Sequence, residues 1–320
     1  MDHPVTMLDP AHFALPWRGP MLAAAAVDLG AFPDEAQPWH LPPFPVIGIG
    51  AGQARDSAFA RLCDVLVPDP AAAMTLCARC AGNPHAAAVL VQVLRLIEGL
   101  SPEQGLVAES LAYGILQGGT EHRHWQIARP RAEPQPPGQL HLERRDDLLA
   151  IVIDRPHARN SVDRTMRDAL REAFDLGGID PEIRRITLCG AGRTFCTGAD
   201  LAEFGTTSDP SMAHVNRMQT LPALALTACA AKLHVHVDGA CVGAGLEMAA
   251  FAARITATER AWFQLPELAM GLIPGAGGCV SLTRRIGRQA TAALVLGGRR
   301  LSARAALALG LIDAITETCP

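Results

Sequence analysis

The chain of 320 residues has almost no lysine: Lys232 is the only one, although basic and acidic residues number 28 and 32. A formal net charge of −4 provides no basic field of the kind a nucleic-acid backbone requires. A nucleic-acid role is therefore excluded, and any phosphate contact falls to arginine, whose planar fork suits it. Long apolar runs are missing as well. The run from Met21 to Phe32 is too short to cross a membrane, contains Asp28 and has no basic leader to mark a secretion signal. No membrane association is expected. There is no cysteine framework either: nine cysteines, an odd number without paired spacings, predict reduced thiols and a cytoplasmic chain. Cys77 and Cys80 form a lone C-x-x-C in a helical pattern with no second ligand pair nearby, so they read as small core residues. A G-x-S-x-G elbow, a P-loop and an H-E-x-x-H helix are all absent, which removes serine hydrolase, nucleotide hydrolase and zinc protease chemistry. No metal and no redox cofactor is implied.

What is present is a core-forming composition, 49% hydrophobic, and one stretch around which the rest is organised. From Lys232 to Gly278 the pattern predicts an alternating strand over Leu233–Val237, a Gly-rich turn around Gly239, Gly243 and Gly245, and a helix opening near Leu246. Small residues at a strand-to-helix turn let backbone N–H groups approach a ligand oxygen, the recipe for an oxyanion hole. Two carboxylates follow. Glu247 comes just after the turn and Glu267 twenty residues later, ahead of a second Gly-rich turn, GLIPGAGG. Two carboxylates converging on a donor-lined pocket form an acid/base pair.

GACVGAGLE and PELAMGLIPGAGG resemble the crotonase (enoyl-CoA hydratase/isomerase) superfamily, whose members carry G-x-x-x-G-G-G-x-E and then P-E before G-x-x-P-G-x-G-G. RTFCTGADL, Arg193 to Leu201, is similar to the family's F-x-x-G-A-D loop, and DRPHARNSVDRTMRDAL to its R-P-x-x-x-N segment. The resemblance implies an α/β fold whose core is a right-handed ββα spiral. It further implies a coenzyme A thioester as substrate, with no separate cofactor, and a homo-oligomer, a trimer or dimer of trimers. Backbone N–H groups of Ala199 and Ala244 match the oxyanion donors, although alanine at 244 replaces the family's usual glycine. Glu247 matches the residue that deprotonates the attacking water and Glu267 the one that protonates C2. Both being present favours hydration of a 2-enoyl-CoA to a 3-hydroxyacyl-CoA. Isomerisation or thioester and C–C hydrolysis in the same hole is the alternative. A non-catalytic acyl-CoA-binding or assembly subunit is an alternative of another class.

Gly198, Asp200, Gly243, Gly275 and Arg159 fall at substrate-binding positions by the same match, Asp200 stabilising the loop of Ala199. His234 and His236 share one face of the strand. They are either hydrogen-bonded core histidines, the favoured reading, or added polar groups of the site. His122 and His124 are expected in solvent.

The organisation of the chain is read as four parts. Residues 1–45 are a Pro- and aromatic-rich arm laid over another surface, and 46–128 a strand followed by helices. Residues 129–139 form a proline-rich linker, and 140–320 the catalytic core. GIGAG after the strand at Val46–Ile49 has Gln53 where a dinucleotide fingerprint needs its third glycine. Helical spacing covers Ala71–Cys80, His85–Ile97 and Pro102–Leu116. The D-x-V-V-P, N-P-x-A-A and G-L-x-x-E-S pattern there is what family chains carry after the core. A circular permutation, or a rearrangement with the same spatial outcome, is therefore expected; its rival is that Val46 to Val67 is the remnant of a duplicated core. Helices packed away from the core are what the first reading forbids.

Overall fold

The computed structural model describes residues 5–33, 35, 37–130, 133–207 and 209–317. An N-terminal sheet orders β1 (Ala25–Asp28), β2 (Val46–Ile49) and β3 (Val65–Val67), all parallel, with α1 (Ala58–Leu62) leading into β3. Four helices follow: α2 (Pro70–Gly82), α3 (Pro84–Ile97), α4 (Pro102–Gln117) and α5 (Thr120–Ala128). The remaining chain runs β4 (Gln139–Arg145), β5 (Leu148–Asp154), α6 (Arg164–Ile179), β6 (Arg185–Gly190), α7 (Pro210–Thr220) and α8 (Pro222–Cys229). Then come β7 (Leu233–Val237), β8 (Ala240–Val242), α9 (Ala244–Ala249), β9 (Arg254–Ala257) and β10 (Trp262–Gln264). It closes with α10 (Gly278–Ile286), α11 (Arg288–Gly297), β11 (Leu301–Ser302), α12 (Ala303–Ala308) and β12 (Ala314–Ile315). The main sheet has the order β12-β9-β7-β6-β5-β4, parallel except for the β4–β5 hairpin, and a small sheet has the order β11-β10-β8.

Local chemistry explains the elements. In β5 the alternation Leu149, Ile151, Ile153 buries each side chain to 2% exposure or less, worth about 1.5–3 kcal/mol apiece. Helix α6 starts where the Asp163 carboxylate accepts from the Met166 N–H, and α4 opens with a Ser101/Gln104 capping box. Neither α5 nor the pair α7–α8 was anticipated. The 1–45 arm does more than lie over a surface. It supplies β1 to the N-terminal sheet, and Phe13, Phe32 and Phe44 join Phe59 in a second apolar cluster edged by Trp17 and Trp39. Phe32 stacks on Phe59 with centroids 3.7 Å apart. Ala25 N–H donates to the Pro45 carbonyl and Ala26 N–H to the Thr6 carbonyl, each at 2.9 Å, so β1 is bonded on both of its edges.

The helices α2–α5 pack on the core rather than away from it. Val280 of α10 lies against Gly105 of α4, where a Cβ would come within 2.9 Å of it. A buried ion cluster ties the same region down: Asp64 receives Arg95 at 2.5 Å and Arg288 of α11 at 3.2 Å. Arg288 also donates to the carbonyls of Arg61 and Cys63, and Gln289 to those of Ala60 and Cys63, satisfying the open end of α1.

Among the described residues seven cysteines are free thiols. Cys77 and Cys80 are free, and burial pushes their thiols up to about 11 and about 12, which keeps them protonated as core groups. Among the described residues no helix is long and apolar enough to cross a membrane.

Candidate active site

The site forms where β7 leaves the main sheet. Gly239 turns the chain with φ +72°, and a Cβ there would collide with the Arg193 carbonyl. The 193–201 loop then pairs along β8: Cys196 N–H donates to the Ala240 carbonyl at 3.0 Å and Val242 N–H to the Cys196 carbonyl at 2.9 Å. This brings Gly198 against Ala244, whose amide nitrogen lies 3.3 Å from where a Gly198 Cβ would stand. Ala199 is flanked by two bonds to Val162, Val162 N–H to the Gly198 carbonyl at 2.8 Å and Asp200 N–H to the Val162 carbonyl at 2.9 Å. Its own N–H has no acceptor among the described residues, and Ala244, first residue of α9, has none within its helix. Ala244 is not among the positive-φ residues, so its methyl group sits on an ordinary backbone.

Gly243 caps α9 with φ +50°, and a Cβ there would sit 2.9 Å from Glu267 Oε1. Only glycine fits that approach. Glu247, on α9, accepts at Oε2 from the N–H groups of Ala276 and Gly278 at 2.7 and 2.8 Å. Both carboxyls are buried, Glu247 2% and Glu267 8% exposed. Burial raises both, but the backbone donors of residues 275–278 hold Glu247 to about 7. Glu267 is pushed well above the usual carboxylate range by burial and then by the Glu247 charge beside it, and its Oε2 has no hydrogen-bond partner among the described residues.

A third carboxylate, unforeseen in the sequence as a site residue, completes the centre. Glu109 of α4 accepts from Gly277 N–H at Oε1 (2.7 Å) and from Cys279 N–H at Oε2 (2.8 Å). Burial and the charge of Glu247 push it up to about 8 against those two donors. Tyr113, one helical turn further along α4, lies over Gly275. The signals available were Glu109 as the acid of the G-L-x-x-E-S pattern and a tyrosine four residues after it on the same helix.

The other expected residues divide into two groups. Asp200 holds the loop of Ala199: its carboxylate accepts from Ala202 N–H and from Arg155, at 2.9 and 2.7 Å. Arg155 is 1% exposed and also pairs with Asp163 at 3.3 Å. Arg159 has a left-handed backbone (φ 55°) and offers its carbonyl to Thr197; its side chain pairs with no carboxylate among the described residues. His236 is buried and hydrogen-bonds Thr256 Oγ1 of β9 at 2.8 Å, while His234 feels Arg185 and Arg254 at the sheet end. Neither is hydrogen-bonded to the glutamates. His122 is not in solvent. It is 1% exposed and donates from Nδ1 to the Met270 carbonyl at 2.8 Å, because α5 wedges against the turn after Glu267; His124 is exposed.

A sequence model of the family described as Enoyl-CoA hydratase/isomerase matches residues 143–318. The chain belongs to that family. It is 31% identical over 175 residues to the 2,3-dehydroadipyl-CoA hydratase of Escherichia coli (strain K12), covering 55% of this chain and 68% of that one. It is 34% identical over 176 residues to the mitochondrial enoyl-CoA hydratase of Pongo abelii, covering 53% and 57%. A solved Mycobacterium abscessus structure of the enoyl-CoA hydratase/isomerase type superposes with a TM-score of 0.52 at 35% identity, covering 56% of this chain and 71% of that one. The fold is accordingly the mixed α/β crotonase type, and the matched region begins after the helices α2–α5.

Proposed function

We propose that this chain hydrates a 2-enoyl-CoA to a 3-hydroxyacyl-CoA. The observation that carries the reading is the pairing of two buried glutamates, differently supported, beside two backbone N–H groups that lack acceptors. The thioester carbonyl oxygen takes the N–H groups of Ala199 and Ala244. Each such donor lowers the barrier by about 2.7–4 kcal/mol as enolate charge develops there. Glu247, held lower by its backbone donors, is the base; Glu267, kept protonated by burial, is the acid. Water adds its oxygen to C3 as its proton passes to Glu247, and the Glu267 proton goes to C2. Proton return from Glu247 to Glu267 restores the starting state.

Helices moved ahead of the core by permutation belong to the same reading, supported by their packing on it. So do a cytoplasmic location and a homotrimer or dimer of trimers. The oligomer is supported by the exposed Val107, Leu111 and Ile115 of α4 beside Met212 and Val215 of α7, and light scattering tests it.

The test of the activity is loss of enoyl-thioester absorbance with crotonyl-CoA and a longer enoyl-CoA. Wild type turns over, and Glu247→Gln or Glu267→Gln abolishes turnover while CoA thioester still binds. Wild type that binds both thioesters and hydrates neither sinks the proposal.

A further inference from the structure

Observations that the two-glutamate reading leaves unused converge on Tyr113, the only tyrosine in the chain. It stands four residues after Glu109, on the same face of α4. Its ring covers Gly275, where a Cβ would collide with it, and the Arg217 guanidinium lies 4.7 Å from the ring centroid. Arg217 is itself fixed, donating to Gln117 Oε1, the Ser110 carbonyl and Ser110 Oγ at 2.9, 3.0 and 3.1 Å. The ring is held in a clamp. Its hydroxyl, in contrast, has no hydrogen-bond partner among the described residues, although it lies within electrostatic reach of Glu247, Glu267 and Glu109. Burial foremost, and then those carboxylates acting against Arg217, push the phenol above its ordinary value, so it keeps its proton and acts as a donor. In the same centre Glu267 Oε2 is buried without a partner. A buried acceptor left unpaired is costly unless a ligand satisfies it, and the partly buried Tyr113 adds an unpaired donor to the same centre.

We propose that Tyr113 is a further catalytic residue: its phenolic O–H donates a hydrogen bond to the oxygen at C3 of the acyl chain, water before addition and hydroxyl after it. This rests on the hydratase reading. No proton leaves the phenol, since the two glutamates carry both protons. The donor comes from a segment that precedes the family-matched residues 143–318, so a separate part of the chain adds it to the two-glutamate centre.

Having a single tyrosine makes the test direct. Protein grown with 3-fluorotyrosine gives one fluorine resonance, to be followed during titration with butyryl-CoA and with 3-hydroxybutyryl-CoA. The expected result is a shift with the 3-hydroxy thioester and none with butyryl-CoA. Equal shifts, or no shift while calorimetry shows both thioesters bound, overturn the role of Tyr113 and leave the acyl-CoA reading standing. Binding of neither thioester overturns both. In parallel, Tyr113→Phe lowers kcat for crotonyl-CoA hydration roughly 2- to 10-fold, the worth of a hydrogen bond between neutral groups, with KM and melting temperature unchanged. A Phe variant as fast as wild type overturns the proposal.

Discussion

Replacing Glu109 with glutamine tests how the helices α2–α5 support the site. The carboxylate receives two backbone N–H groups, from Gly277 at 2.7 Å and Cys279 at 2.8 Å, in a position 2% exposed. Glutamine keeps the shape and one acceptor but turns an NH₂ toward the other donor, leaving one buried N–H unpaired. That omission costs about 1–3 kcal/mol. The pH dependence has a definite sign. Glu109 is raised from 4.5 to about 8 in the folded protein, so the folded state binds more protons than the unfolded state between those values. Its contribution is present at low pH and lost as pH rises toward about 8. Urea unfolding at several pH values is the assay. Glu109→Gln is expected to be less stable by about 1–3 kcal/mol near pH 5, with a shallower fall toward pH 8, so that the gap narrows. A gap below about 0.5 kcal/mol at low pH, the scatter of surface substitutions, or one that widens with pH refutes the reasoning.

Two further expectations concern the same centre and its frame. In the proposed reaction Glu247 acts as its anion, so kcat/KM for hydration falls as pH drops through about 7; a profile flat from pH 6 to 8 contradicts that role. Arg155→Met removes a buried cation shared by Asp163 and Asp200 and is expected to lower stability by about 3–5 kcal/mol, read from the urea midpoint. An unchanged midpoint contradicts it.

Much of the candidate site was legible because its chemistry is local. The strand Leu233–Val237 appears with the bounds that alternation predicts, and the Gly-rich turn between it and Glu247 admits only one backbone path. Glu267 is twenty residues from Glu247, and Gly243 needs no side chain because a carboxylate oxygen occupies that space. Glu109 was opaque for the opposite reason: its partner Gly277 lies 168 positions away, and nothing in a helix period announces such a bond. The expectation that His122 lies in solvent failed likewise. Its neighbours Glu121 and Arg123 suggest a wet face, whereas the Met270 carbonyl that holds it is 148 positions distant. In the N-terminal arm, prolines hid a strand, and the aromatic residues read as a covering layer prove to be a cluster around Phe59.

The bonds from Arg288 to the end of α1 also bear on how the protein is made. Arg288 and Cys63 are separated by 225 positions. At ribosomal rates of roughly 5–20 residues per second, Cys63 waits on the order of 10–45 s for that partner. During this interval Leu94 and Ile97 of α3, buried in the finished molecule, have no α10 or α11 to pack against. The early part of the chain is therefore exposed to misassociation during synthesis, and cells that make this protein in quantity have reason to shield it until the last helices emerge.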